Sequence, residues 1–300
     1  LKKVIGLLRL IRPANIITAV SDILAGVAVA ACIAGNGSVP QWEPVALLIL
    51  STIGLYGGGV VLNDVFDAAL DKTERPERPI PSALISQNAA AFFGAALLLI
   101  GVVAAAGVHI SGWLSSSALI AAAIAVCAVV YDKWMKHNRI LGPLNMGICR
   151  GLNLLLGMSI LPAVLPRYGY IAIVPVIYIA AITMISRGEV HGGKKKILYG
   201  AALLYAVVIA GIITAGFIRK QVGYTVIFIV LFAIMIFPPL QKAIRSGEGP
   251  LIGKAVKAGV IALIVMNASW AAAFGMINIA LLILLLLPVS LLLAKLFAVT

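Results

Sequence analysis

The sequence predicts an all-α, polytopic transmembrane helical bundle of nine to ten spans, and three observations predict it. Of 300 residues, 62% are hydrophobic and 11% charged, against roughly 45–50% apolar and about 25% charged in soluble domains. The mean hydropathy is +1.12. The apolar residues gather into ten runs, each close to the ~20 residues that cross a hydrocarbon core of about 30 Å. A bilayer offers backbone groups no water, so such runs must be helices, and the alternation of a barrel strand is absent.

In chain order the runs lie near 13–34, 44–66, 88–109, 112–131, 140–161, 168–186, 197–218, 221–240, 254–274 and 276–297. The first follows "RLIRPAN" and has no small-residue cleavage site, so it reads as a retained span rather than a removed leader. The second contains Gly57, Gly58 and Gly59, where a ligand or a neighbouring backbone can come close. The fourth ends in Tyr131, Lys133 and Trp134, the aromatic and cationic residues of a membrane interface. The fifth carries Asn145, Arg150 and Asn153. In the last, Pro288 either kinks the span or leaves the two final runs less separate than hydropathy suggests. No short-period repeat is present, and the expectation is one integral-membrane unit over 1–300. Cys32, Cys127 and Cys149 sit in apolar runs without metal-ligand spacing and read as packing residues.

Counting Lys and Arg by side places 19 of 23 on the side of the N-terminus, which predicts a cytoplasmic N-terminus in the plasma (inner) membrane. The net charge of +13 is thereby explained by topology. It is spread over short loops beside membrane helices, so nucleic acid is not expected as a partner.

Five of the ten acids lie between Asp64 and Glu77, in "LNDVFDAALDKTERPERPIPS". On a helix, Asn63, Asp64, Asp67 and Asp71 fall within an arc of about 100°. Carboxylates so close repel one another unless a cation joins them, and carboxylate oxygens suit Mg²⁺, which commonly shares itself with a phosphate. Pro76 and Pro79 end the helix and put Arg75 and Arg78 in a loop where guanidiniums can grip phosphate. A solvated mixed-charge loop is the plainer reading, but acids on one face at a membrane helix end are costly without a role.

The stretch "NDVFDAALDKTERPERPIPS" resembles the first aspartate-rich motif of the UbiA family of intramembrane prenyltransferases. "IRPANIITAVSDILAG" is similar to that family's opening helix, and "YDKWMKHNRILGPLNMGICRGLNLLLG" to its fourth and fifth. The resemblance implies that Asp64, Asp67 and Asp71 are catalytic and, with Asn63, hold Mg²⁺ on the diphosphate of an isoprenyl donor, with Arg75 and Arg78 nearby. It also places Tyr131 and Lys133 next to the substrate cavity. Asn145 and Arg150 bring polar groups into the fifth helix, and Arg150 is open to two readings, a packing partner for a carboxylate or a ligand-facing cation. Asn15, Thr18, Asp22 and Gly26 form one stripe on the first helix, with Asp22 either the partner of Arg150 or a wall of the cavity. The implied partners are an isoprenyl diphosphate donor, a hydrophobic or aromatic acceptor and membrane lipid.

The family's second aspartate motif is replaced by "MISRGEVHGGKKK", where Glu189 and His191 are the only side chains that could join a metal. Arg187, Lys194, Lys195 and Lys196 surround them and suit an anion better than a second Mg²⁺. Gly188, Gly192 and Gly193 would let backbone approach phosphate oxygens. His191 is also readable as a plain interfacial histidine. "SRGEVHGG" resembles the EboC-like branch of the superfamily. Either the cations neutralise the diphosphate in place of one metal and transfer proceeds, or ionisation is lost and the fold binds or transports a small metabolite.

Overall fold

The computed structural model describes residues 2–35, 41–109, 115–138, 140–189 and 192–297. Among them there is no strand. The helices are α1 (Lys2–Ile11), α2 (Pro13–Ile33), α3 (Trp42–Phe66), α4 (Ala68–Glu74), α5 (Gln87–Ala106), α6 (Ser116–Val130), α7 (Leu141–Met158), α8 (Leu165–Tyr168), α9 (Ile173–Ser186), α10 (Lys195–Ile218), α11 (Val222–Ser246), α12 (Gly249–Ala273) and α13 (Ile277–Leu296). A π-helical turn, Tyr131–Met135, continues α6.

Every expected apolar run contains a helix, and nine of these segments are long and apolar enough to cross a membrane among the described residues. The tenth, α7, is less apolar because of Asn145, Arg150 and Asn153, all of which it buries. Two helices and nearly all of the one-turn α8 lie outside the expected runs. The charged, amphipathic α1 is too short to register as a span, and α4 continues the acidic stretch beyond α3. Arg12 separates α1 from α2 with a left-handed φ of 50°. The Pro13 ring disfavours an α-helical conformation in the residue before it, so the chain turns there.

The small-residue helix α2 is buried along nearly its whole length and packs against α3, α7, α12 and α13. At its crossing with α7, a Cβ on Gly26 would strike the Leu154 carbonyl and one on Gly157 the Ile23 carbonyl. Dispersion between close backbones holds membrane helices together where the hydrophobic effect cannot. Gly58 serves α3 in the same way, since a Cβ there would lie 2.7 Å from the Gly94 carbonyl of α5. The neighbouring Gly59 instead lines the internal cavity.

α12 and α13 are separate helices, divided at Gly275 by a left-handed φ of 76°. α13 contains Pro288 and is tied to α2 by Ser290 Oγ, which donates to the Ala14 carbonyl at 3.0 Å. At one end of the bundle four connections meet. Lys136 pairs with Asp67, Arg187 donates to the Asn138 carbonyl at 3.1 Å, and Gly193 N donates to the Gly247 carbonyl at 3.2 Å. The loops expected to share one side therefore do share one end.

Candidate active site

α3 stops at Phe66, yet its face continues. Asp67 N donates to the Asn63 carbonyl at 2.9 Å, Asp71 N to Asp67 at 2.8 Å and Arg75 N to Asp71 at 2.9 Å. This four-residue relay through the α3–α4 junction keeps Asn63, Asp67 and Asp71 in line, with Asp64 alongside. Asp64 and Asp71 are almost wholly buried, and buried carboxylates need partners. Arg12 Nη2 meets Asp64 Oδ1 at 2.7 Å. Arg78 Nη1 lies 3.3 Å from Asp64 Oδ1 and 2.7 Å from Asp71 Oδ2. Lys136 Nζ takes Asp67.

Among the described residues no three Asp, Glu, His or Cys side chains already converge as metal ligands, because these cations hold the acids. The donor chemistry nevertheless fits magnesium. The ligand atoms are hard oxygens, and Asp64 and Asp71 flank a single cationic nitrogen of Arg78, so one positive centre is already shared between them.

The two arginines of the motif diverge. Arg78 turns inward to the acids, whereas Arg75 is exposed and bears electrostatically on Glu189. Ile80 and Ile85 pull the intervening loop into a small apolar cluster with Leu10 and Val61. The proline-bounded loop is thus folded against α1 and not freely extended.

A cavity of about 380 Å³ runs beside this cluster, and Asn15, Asn63, Tyr131 and Arg150 of the expected residues line it. Thr52 and Asn63 both line it from α3, and eleven residues of helix separate them by about 16 Å. Leu55, Val60, Ile124, Ile179, Ile182 and Leu263 supply apolar wall. Asp64, Asp67 and Asp71 are not on the lining. Arg12, Asn63 and Asp132 stand at the boundary instead.

Arg150 pairs with a carboxylate and also lines the cavity. Nη1 donates to Asp22 Oδ2 at 2.7 Å and Nη2 to Thr18 Oγ1 at 2.6 Å, while the guanidinium lies 5.1 Å from the Tyr56 ring centroid on the cavity wall. Asp22 is therefore the partner of Arg150 and not part of the lining. It also accepts from Asn153 Nδ2 at 2.9 Å and Asn267 Nδ2 at 2.7 Å. Thr52 Oγ1 closes the network on Asn153 Oδ1 at 2.8 Å.

Four expected residues sit elsewhere. Lys133 is exposed with its Nζ 4.6 Å from the Trp134 ring centroid, and Lys136 takes the place over the acids. Asp132 and Lys136, four residues apart, share the face toward the acids, and Lys133 lies off that face. Asn145 donates to Met135 Sδ at 3.1 Å and so braces the π-turn away from the cavity lining. Gly192 and Gly193 meet the Gly247 backbone, and a Cβ on Gly249 would strike the Glu189 carbonyl. Their lack of side chains is used for loop-on-loop packing.

Arg187 and Lys194 are exposed at the same end, and His191 lies outside the described residues. Desolvation raises the Glu189 carboxyl above the ordinary glutamate value, with the Arg75 charge opposing. A carboxyl biased toward its neutral form is a weaker metal ligand. Residues missed in the sequence are Arg12, Lys136, Asp132, Thr52, Tyr56 and Asn267. Arg12 and Lys136 read there only as topology charges. Asp132, wedged between two noted residues, carried the one available signal, an acid at a membrane helix end.

The fold and site define an intramembrane helical protein with an acidic and basic cluster set at the end of an internal cavity. The chain belongs to the UbiA prenyltransferase family, whose model matches residues 23–246. Digeranylgeranylglyceryl phosphate synthase of Methanothrix thermoacetophila is 32% identical over 153 residues, covering 50% of this chain and 53% of that protein. The synthase of Methanosarcina mazei is 30% identical over 144 residues, covering 48% and 46%. The matched stretch thus spans about half the length of these relatives. A structure described for digeranylgeranylglyceryl phosphate synthase in membranes superposes with a TM-score of 0.67 at 21% identity, covering 93% of this chain and 100% of that one. A UbiA homologue from Archaeoglobus fulgidus bound to GPP and Mg²⁺ gives 0.63 at 15% identity, covering 91% and 99%.

Proposed function

We propose that the protein is an intramembrane prenyltransferase that moves a polyprenyl group from its diphosphate to a lipid acceptor. The observation that carries this reading is the relayed face of Asn63, Asp64, Asp67 and Asp71, held among Arg12, Arg78 and Lys136 beside a largely apolar cavity. The names of the relatives favour a glyceryl phosphate acceptor over an aromatic one. The cluster faces the cytoplasm under the charge asymmetry of the loops.

Asp64, Asp67 and Asp71 are the residues that would hold magnesium, which when bound neutralises charge on the diphosphate. Arg78, freed from Asp64 and Asp71, is placed to bind diphosphate oxygens in a bidentate manner. Exposed Arg75, Arg187 and Lys194 add positive charge at the same end, and Glu189 is at most a secondary ligand. The C1–O bond of the donor breaks with its electron pair remaining on the diphosphate. The acceptor hydroxyl supplies the pair for the new C–O bond, and its proton passes to the released diphosphate. Leu55, Ile124, Ile179 and Ile182 keep water from the allylic cation.

The test is release of diphosphate by purified protein given geranylgeranyl diphosphate, a prenylated glyceryl phosphate and Mg²⁺. Release that requires all three supports transfer. A second reading, a non-catalytic binder or carrier, is favoured by the single carboxylate of the second loop. It predicts bound or moved substrate with no diphosphate released.

A further inference from the structure

Two contacts link the end of α3 to the π-turn after α6, and they repeat with the same step. Asn63 Nδ2 donates to Asp132 Oδ1 at 2.8 Å, and Lys136 Nζ pairs with Asp67. Asn63 and Asp67 are four residues apart, as are Asp132 and Lys136, and both contacts span 69 positions. The two segments therefore run side by side in one direction, with successive turns in register. Asp132 is 4% exposed and, among the described residues, is the only carboxylate on the cavity lining. It reaches that position through the π-turn, a device common at functional sites because it redirects side chains within a helix.

The contact decides what Asn63 presents. An amide can offer an oxygen or an NH₂ group, and only the oxygen can meet a metal ion. Asp132 Oδ1 accepts from the Asn63 NH₂ group at 2.8 Å, so the carboxyl takes the NH₂ side and leaves Oδ1 of Asn63 as the free end. We infer that Asp132 is a positioning residue that fixes the Asn63 amide with its oxygen available to the diphosphate-bound metal, which makes the "YDKWMK" segment a supporting wall of the first acidic motif. This inference rests on the transferase reading above. Outer carboxylates that orient ligands in this way commonly account for about 10–100-fold in metal affinity.

The test uses the full chain in detergent, Mn²⁺ as a paramagnetic probe and a non-hydrolysable geranylgeranyl diphosphate analogue. Asp132→Ala is expected to weaken Mn²⁺ binding in the presence of the analogue by about ten-fold or more, while binding of metal-free geranylgeraniol stays at the wild-type level. Asp132→Asn retains an acceptor oxygen and is expected to keep most of the affinity. The exchange Asn63→Asp with Asp132→Asn reverses the bond's direction, again leaves an oxygen free at 63, and is expected to restore binding relative to Asp132→Ala. Unchanged Mn²⁺ affinity in Asp132→Ala overturns the inference while the transferase reading stands. An equal loss of geranylgeraniol binding overturns it too, because the residue is then structural. Wild-type protein that binds no Mn²⁺ with the analogue overturns both.

Discussion

Arg150→Met removes the cation from the most deeply buried ion pair among the described residues of the bundle. The side chain loses the 2.7 Å bond to Asp22 and the 2.6 Å bond to Thr18, and hydrogen bonds to charged groups contribute about 1.5–3 kcal/mol each. Asp22 is then left with only the neutral amides of Asn153 and Asn267 as donors. Breaking one side of a buried pair costs about 3–5 kcal/mol. At roughly 2–4 °C per kcal/mol, thermal unfolding of detergent-solubilised protein should fall by about 10 °C. Asp22→Asn combined with Arg150→Met removes both charges while Asn153 and Asn267 keep an acceptor, so the pair should regain at least half of the loss. A single variant that costs less than about 1 kcal/mol, or a double variant no better than the single, refutes the claim that charge compensation holds α2 to α7.

Asp67→Asn should lower the Mg²⁺ dependence of prenyl diphosphate binding by more than about ten-fold with little change in unfolding temperature, both read from one thermal-shift titration. Gly157→Val should destabilise by about 1–3 kcal/mol, because its side chain would meet the Ile23 backbone; an unshifted melting curve would show that α2 and α7 separate easily. Arg187→Ala should weaken diphosphate binding by calorimetry more than Glu189→Gln does, and the reverse order would make Glu189 a metal ligand. The raised Glu189 pKa favours the folded state while the group is protonated, and that contribution is lost as pH rises through the folded value. Glu189→Gln should therefore flatten the fall in melting temperature as pH rises above the ordinary glutamate value of about 4.3. A cysteine placed at position 194 should resist an impermeant thiol reagent applied outside intact cells, and labelling from outside would invert the topology.

Apolar runs of bilayer length fixed the helices in advance, since in hydrocarbon no other backbone arrangement satisfies its own hydrogen bonds. The spacing of Asn63, Asp67 and Asp71 likewise foretold one polar face, and the i to i−4 relay preserves it across the α3–α4 junction. Helical periodicity is local, and local patterns survive translation into structure. Which cation meets which acid is a different kind of fact. Arg12 reaches Asp64 across 52 positions, Lys136 reaches Asp67 across 69 and Arg150 reaches Asp22 across 128. Those choices depend on how helices pack, and in this bundle packing is set by backbone contacts at Gly26, Gly58 and Gly157. The segment after α6 shows the limit most clearly. Asp132 and Lys136 lie against the acidic motif while Lys133 turns outward, and which face of that segment meets α3 is not written in its own periodicity. The sequence by itself determined the helices and the chemical types at the bundle's end; the tertiary structure decided their partners, because ion pairs form between neighbours in space and only packing makes distant residues neighbours.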